Sequence, residues 1–120
     1  MNKILVADDR PEVLELVKVT LEGEDYKVLC ASDGKEALEK IGLERPDLVL
    51  LDVVMPKMDG FEVLSKIRED PKTKDTPVIM LTAQGQKVDQ EKGRRLGARD
   101  YITKPFSPSH LLNKIEEILT

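Results

Sequence analysis

The stretch Asp47-Leu48-Val49-Leu50-Leu51-Asp52 decides the fold. Consecutive apolar residues, with no polar alternation, run into a carboxylate. Both faces of such a segment must be covered, as in a strand inside a parallel sheet. The same design recurs on either side. Lys3-Ile4-Leu5-Val6-Ala7 runs into Asp8-Asp9, and Pro77-Val78-Ile79-Met80-Leu81 runs into Thr82. The shorter Asp100-Tyr101-Ile102-Thr103 ends at Lys104-Pro105. Segments with helical apolar spacing lie between them, and this alternation is the pattern of an α/β fold with a parallel sheet. Strands are expected near 3–7, 26–30, 47–51, 77–81 and 100–103. Helices are expected near 11–22, 35–42, 60–69, 87–96 and 108–119. Parallel strands share an edge at their carboxyl ends, where ligands of open α/β sheets bind.

The 120 residues suit one domain around one core, 1–120. A 40% apolar and 35% charged composition fits a soluble globular protein. No apolar run is long enough to cross a bilayer, and the N-terminus enters a strand too soon for a signal peptide. The single cysteine, Cys30, excludes an internal disulfide and is expected to pack as a small apolar residue. These features point to a cytoplasmic protein without membrane contact. The net charge of −4, with both signs interspersed, argues against direct nucleic-acid binding.

Helix ends are marked by their residues. Asp33-Gly34 and Asp59-Gly60 read as entrances, and Gly23, Gly42 and Gly97 as exits. Ser107 is placed to cap a last helix that begins at Pro108. Leu111, Leu112, Ile115, Ile118 and Leu119 form that helix's apolar stripe. The helix at 87–96 is poor by comparison. Val88 and Leu96 are its only large apolar anchors, and the interior Gly93 costs about 1 kcal/mol relative to Ala. In the first helix, Val13, Leu14, Val17 and Leu21 share one face. Leu16 and Val19 point away from it, beside the active edge, and read as a docking strip.

The residues at the shared edge suggest a chemistry. A carboxylate can act as a nucleophile toward phosphorus and form an acyl phosphate. Asp52, ending the third strand, which is expected at the centre of the sheet, is the nucleophile of choice, with Asp8 and Asp9 beside it. Carboxylates so close repel one another unless a cation intervenes. Mg²⁺, with its preference for hard oxygen ligands and retained waters, suits them, and Mn²⁺ can substitute. Lys104 supplies a fixed positive charge for phosphoryl oxygens, and Thr82 a hydroxyl donor.

With Leu5-Val6-Ala7-Asp8-Asp9, Leu51-Asp52-Val53-Val54-Met55-Pro56, Met58-Asp59-Gly60, Leu81-Thr82-Ala83, Gly97-Ala98 and Lys104-Pro105-Phe106, the chain resembles a response-regulator receiver domain of two-component signalling. The resemblance covers essentially the whole chain. It implies a flavodoxin-like (βα)5 fold, a doubly wound five-stranded parallel sheet in the order 2-1-3-4-5, an arrangement also known from the family's chemotaxis member. It implies that Asp52 is the phosphoacceptor, that Asp9 binds metal directly and Asp8 largely through water, and that the Val54 backbone carbonyl is a further ligand. Lys104 matches the phosphate-binding lysine, followed by a cis peptide at Pro105. Thr82 with Ala83, and Tyr101 behind them, match the phosphate-binding and switch positions. A sensor histidine kinase would be the donor, docking on Arg10, Val13, Leu16 and Val19. The reader would be a downstream effector protein or an output domain missing from this chain, contacted through the 82–106 face.

Some positions depart from the family pattern. Gly93 stands where alanine is more usual, and Leu14 where arginine often is. Arg99-Asp100 replaces an acidic pair of the class that dimerises through its last strand and helices, and the usual arginine near Asn113 is missing. A monomer is therefore expected, with dimerisation reserved for the phosphorylated form. The chain reads as no conventional enzyme: it catalyses only its own phosphorylation and slow dephosphorylation. A degenerate receiver serving only as a binding module is the alternative. An aspartate-nucleophile phosphatase would need a second carboxylate where Val54 stands. A flavin-binding protein would need a Ser/Thr-rich loop in place of Asp8-Asp9-Arg10-Pro11.

Overall fold

The computed structural model describes residues 1–83 and 86–120. Its elements alternate as the apolar runs require: β1 Lys3–Ala7, α1 Pro11–Glu22, β2 Lys27–Ala31, α2 Gly34–Glu44, β3 Leu48–Asp52, α3 Gly60–Glu69, β4 Val78–Ala83, α4 Lys87–Arg95, β5 Asp100–Lys104 and α5 Pro108–Leu119. All strand pairs are parallel, in the order β2-β1-β3-β4-β5. This is the flavodoxin-like arrangement. β3, β4 and β5 reach one to two residues further than expected, so Asp52, Thr82 and Lys104 are strand residues rather than loop residues. Ladder hydrogen bonding therefore fixes their backbones.

Two apolar layers enclose the sheet, as period-2 side-chain alternation dictates. Leu5, Ala7, Val49, Leu51, Val78 and Met80 face one layer with α2 and α3. Ile4, Val6, Leu48, Leu50, Ile79, Leu81 and Ile102 face the other with α1 and α5. Every residue of the central strand β3 is buried. Val17 and Leu21 of α1 and Leu111 and Ile115 of α5 are fully buried, while Leu16 and Val19 are 42% and 60% exposed. The two-faced reading of α1 thus holds. Cys30 is half-buried against the α1/α5 layer.

The caps follow from the chemistry of the entrance residues. The carboxylates of Asp33 and Asp59 accept from the backbone N–H groups of Glu36 and Glu62 at 2.7 and 2.9 Å, and the Ser107 hydroxyl accepts from that of His110 at 3.1 Å. Gly97, at φ +102, follows α4 in a conformation that favours glycine. Two expectations need correction. Gly42 does not end α2; the helix runs to Glu44 and Arg45 takes the left-handed cap conformation. The Arg45 N–H donates to the Ile41 carbonyl at 3.1 Å and closes the last turn. Val88 is no anchor of α4, being 71% exposed. The helix is held instead by the buried Gly93 and by Leu96 at its end, so its attachment is thinner than its composition suggested.

Candidate functional site

Sheet register builds the site. Ala7 pairs with Leu51. One step further along both strands brings Asp8 level with Asp52, on the face of the sheet that carries α1 and α5. Lys104 shares that face, two residues beyond Ile102, and pairs with Ala83. Alternation thus turns two carboxylates and an ammonium to one side. The Lys104 Nζ donates to Asp8 Oδ2 at 2.6 Å and lies 3.3 Å from Asp52 Oδ1.

Asp8 is fully buried; its Oδ1 accepts from the Arg10 backbone N–H at 2.9 Å. Asp9 is exposed beside it. One carboxylate oxygen from each of Asp8, Asp9 and Asp52 lies within 4.8 Å of the others. Burial pushes the Asp52 carboxyl above its ordinary range, and the neighbouring Asp8 adds to this. Lys104 and the Val54 backbone N–H pull the other way without cancelling the shift. Three carboxylates face one ammonium, an imbalance of charge and a set of hard oxygen donors that fit a small divalent cation.

The loop after β3 closes this end. The Gly60 N–H donates to the Val53 carbonyl at 2.8 Å. A Cβ at residue 60 would stand 2.1 Å from the Asp52 carbonyl oxygen, so only glycine allows α3 to start so near the site. A cleft of about 190 Å³ results, bordered by Asp9, Asp52, Lys104, Val54, Arg10 and Asp89. Val54 is 73% exposed there. Asp89 was not among the expected residues. Its signal was positional: the first turn of the helix after β4 must lie near the strand ends.

Thr82 does not border the cleft. Its alternation matches Met80, so it faces the α3/α4 side with Tyr101, the register partner of Met80. Its Oγ1 is buried and has no hydrogen-bond partner among the described residues. Such an orphan is costly unless another state satisfies it. The Tyr101 ring packs on the same side, with the Arg94 guanidinium 4.8 Å from its centroid. The Lys104–Pro105 peptide is cis. Gln84, which falls within the 82–106 face expected to contact the effector, lies outside the described residues.

Arg10, Val13 and Leu16 border a second groove of about 370 Å³ with Lys104, Pro105 and Phe106. It adjoins the cleft, sharing Arg10, Ala83 and Lys104 with it. Val19 is exposed but does not border the groove.

Comparison with known proteins agrees with this geometry. A family model described as the response regulator receiver domain matches residues 4–116. The chain is 45% identical over 118 residues to the alkaline phosphatase synthesis transcriptional regulatory protein PhoP of Bacillus subtilis (strain 168), covering 98% of this chain and 48% of that protein. It is 46% identical over 119 residues to the transcriptional regulatory protein CpxR of Escherichia coli (strain K12), covering 99% and 50%. The chain therefore spans about half the length of these relatives. The crystal structure of the chemotaxis response regulator CheY4 of Vibrio cholerae superposes with a TM-score of 0.94 at 37% identity, covering 99% of both chains. Register, site residues and relatives converge on one conclusion: the chain belongs to the response regulator receiver domain family.

Proposed function

We propose that this chain is a phosphorylatable signalling switch in which Asp52 accepts a phosphoryl group from a sensor histidine kinase. The single observation that carries the reading is the convergence of the Asp8, Asp9 and Asp52 carboxylates on the Lys104 ammonium at the end of the central strands. In the transfer, an Asp52 carboxylate oxygen forms a bond to phosphorus as the bond from phosphorus to the donor imidazole nitrogen breaks. The donor imidazole, already protonated on its other ring nitrogen, leaves with that electron pair as neutral imidazole. Asp9, Asp52 and the Val54 carbonyl would hold Mg²⁺, with Asp8 acting through water and holding Lys104 in place. Bound there, the ion would supply charge neutralisation for the transferring group. Lys104 takes a phosphoryl oxygen, and the Ala83 backbone stands ready beside it.

The orphan hydroxyl of Thr82 supports the switching half of the reading. Turning it toward a phosphorylated Asp52 would satisfy a buried group and vacate space that Tyr101 can fill. Such a charge-assisted bond is worth roughly 1.5–3 kcal/mol, enough to shift a two-state population by one to two orders of magnitude. The output face would comprise α4 and β5, read by a separate effector or by a domain continuous with this chain. The kinase would dock over Arg10, Val13, Leu16 and Val19 beside the groove. A cytoplasmic setting accords with the reading, and no helix among the described residues is long and apolar enough to cross a membrane.

The test is incubation with acetyl phosphate and Mg²⁺, read by intact mass. One phosphate adduct is expected, absent in Asp52→Ala and with Mg²⁺ chelated. An adduct that persists in Asp52→Ala overturns the assignment. Leu16→Ser with Val19→Ser should slow transfer from the kinase and spare transfer from acetyl phosphate; equal losses would count against the docking surface.

A further inference from the structure

We infer that Arg10 is a second cationic contact for the transferring phosphoryl group, tuned to dianionic donors. The inference rests on the reading of Asp52 as phosphoacceptor. Arg10 is the N-cap residue of α1, with its backbone held by the N–H bond to Asp8. Helix stability does not explain it. N-caps favour Ser, Thr, Asp or Asn, whereas Arg10 makes no capping bond. Its positive charge also opposes the helix dipole.

Position gives it another task. Arg10 and Lys104 are the two cationic residues that border both the Asp52 cleft and the adjoining groove. They are not equally engaged. Lys104 is taken up by Asp8 and Asp52. Among the described residues, the Arg10 guanidinium has neither an ion pair nor a hydrogen bond, so its five N–H donors are uncommitted. A guanidinium fork matches two phosphoryl oxygens at once, which a lysine cannot do. Any donor reaching Asp52 along the groove passes Arg10. Asp9 and Asp89 also border the cleft, so removing Arg10 would make its lining less favourable to an anionic donor.

With acetyl phosphate, an Asp52 oxygen bonds to phosphorus as the bridging P–O bond to the acetyl group breaks. Acetate departs with that electron pair, and no proton moves. Arg10 remains protonated throughout and acts through charge and position alone.

The experiment measures phosphorylation rate against donor concentration on the full chain with Mg²⁺, by intact mass, for wild type, Arg10→Ala and Arg10→Lys. Acetyl phosphate is compared with phosphoramidate, whose own ammonium reduces its net charge. In Arg10→Ala the second-order rate with acetyl phosphate should fall about tenfold, the size expected for one charge-assisted contact. Phosphoramidate should lose less, Arg10→Lys should recover part, and about 0.5 M salt should shrink the difference by screening. Mg²⁺ affinity, read from thermal shifts, should hold or rise, because a nearby cation has gone. An unchanged acetyl phosphate rate overturns the inference, as does a loss that Mg²⁺ affinity follows. A wild type that gains no phosphate at Asp52 overturns the phosphoacceptor reading itself.

Discussion

Replacing Lys104 by Met separates the stability role of the ammonium from its chemical role. Lys104 Nζ is 2.6 Å from the fully buried Asp8 and 3.3 Å from Asp52. Methionine keeps the length and the apolar stem but removes the charge. Two buried carboxylates would then face each other without a cation. Breaking a buried pair by removing one partner costs about 3–5 kcal/mol. Asp8 keeps its bond from the Arg10 amide, so the lower end, about 3 kcal/mol, is expected. For a chain of this size that lowers the melting temperature by about 10 °C in chelator at neutral pH. The cost should shrink as pH falls, because Asp52, already pushed up by burial and by Asp8, takes up a proton. Mg²⁺ should reverse much of the loss. Lysine no longer competes for Asp52, so the ion should bind the variant more tightly than wild type. At a hundredfold excess over the dissociation constant it stabilises by about 2.7 kcal/mol. The assay is thermal melting of both proteins in chelator and across a Mg²⁺ titration. Acetyl phosphate should still fail to load the variant at the wild-type rate. A variant as stable as wild type in chelator, or one that gains less from Mg²⁺, would refute the reasoning.

Other consequences can be checked independently. Burial alone would raise the Asp100 carboxyl, but the bond from Lys114 at 2.9 Å, the Tyr101 amide and nearby positive charge hold it below its ordinary range, while the same pair raises Lys114. A lowered carboxylate stabilises the fold above its unfolded pKa, and that contribution disappears as pH falls through the folded value. A raised lysine stabilises below its unfolded pKa and loses effect as pH rises through the folded value. Lys114→Met should therefore cost about 1 kcal/mol on the neutral plateau and progressively less in strong acid, by denaturant titration across pH; a pH-independent cost would contradict the pairing. Gly93→Ala gains about 1 kcal/mol of helix propensity. Its Cβ would stand 3.2 Å from Met80 Cγ, which a flexible methionine can yield. Amides of 87–95 should exchange faster than those of 108–119 in the unmodified protein and slow in this variant; equal protection of the two helices at the outset would argue against a weakly held α4. Val54→Asn, at an exposed cleft position, should leave stability within about 0.5 kcal/mol and shorten the life of the phosphorylated form by positioning water; an unchanged or longer lifetime would count against this.

The amino-acid sequence by itself determined the alternation of five strands and five helices, the identity of the buried runs and the polar residues that end them. These are local properties: unbroken apolar runs need cover on both faces, and Asp33, Asp59 and Ser107 satisfy backbone N–H groups a few residues away. The strand order came from family resemblance, since nothing local says which strand lies beside which. Tertiary structure decided the rest. Register between segments more than forty residues apart set Asp8 level with Asp52, and side-chain alternation then turned Lys104 toward both and Thr82 to the opposite face. The exposure of Val88 and the burial of Gly93 depend on how α4 lies against β4, which the helix's own pattern cannot specify. The same placement brought Asp89 to the cleft. Which residue carries a charge is written locally, but whether that charge finds a partner depends on distances that only chain pairing establishes, and a few ångströms decide the energy.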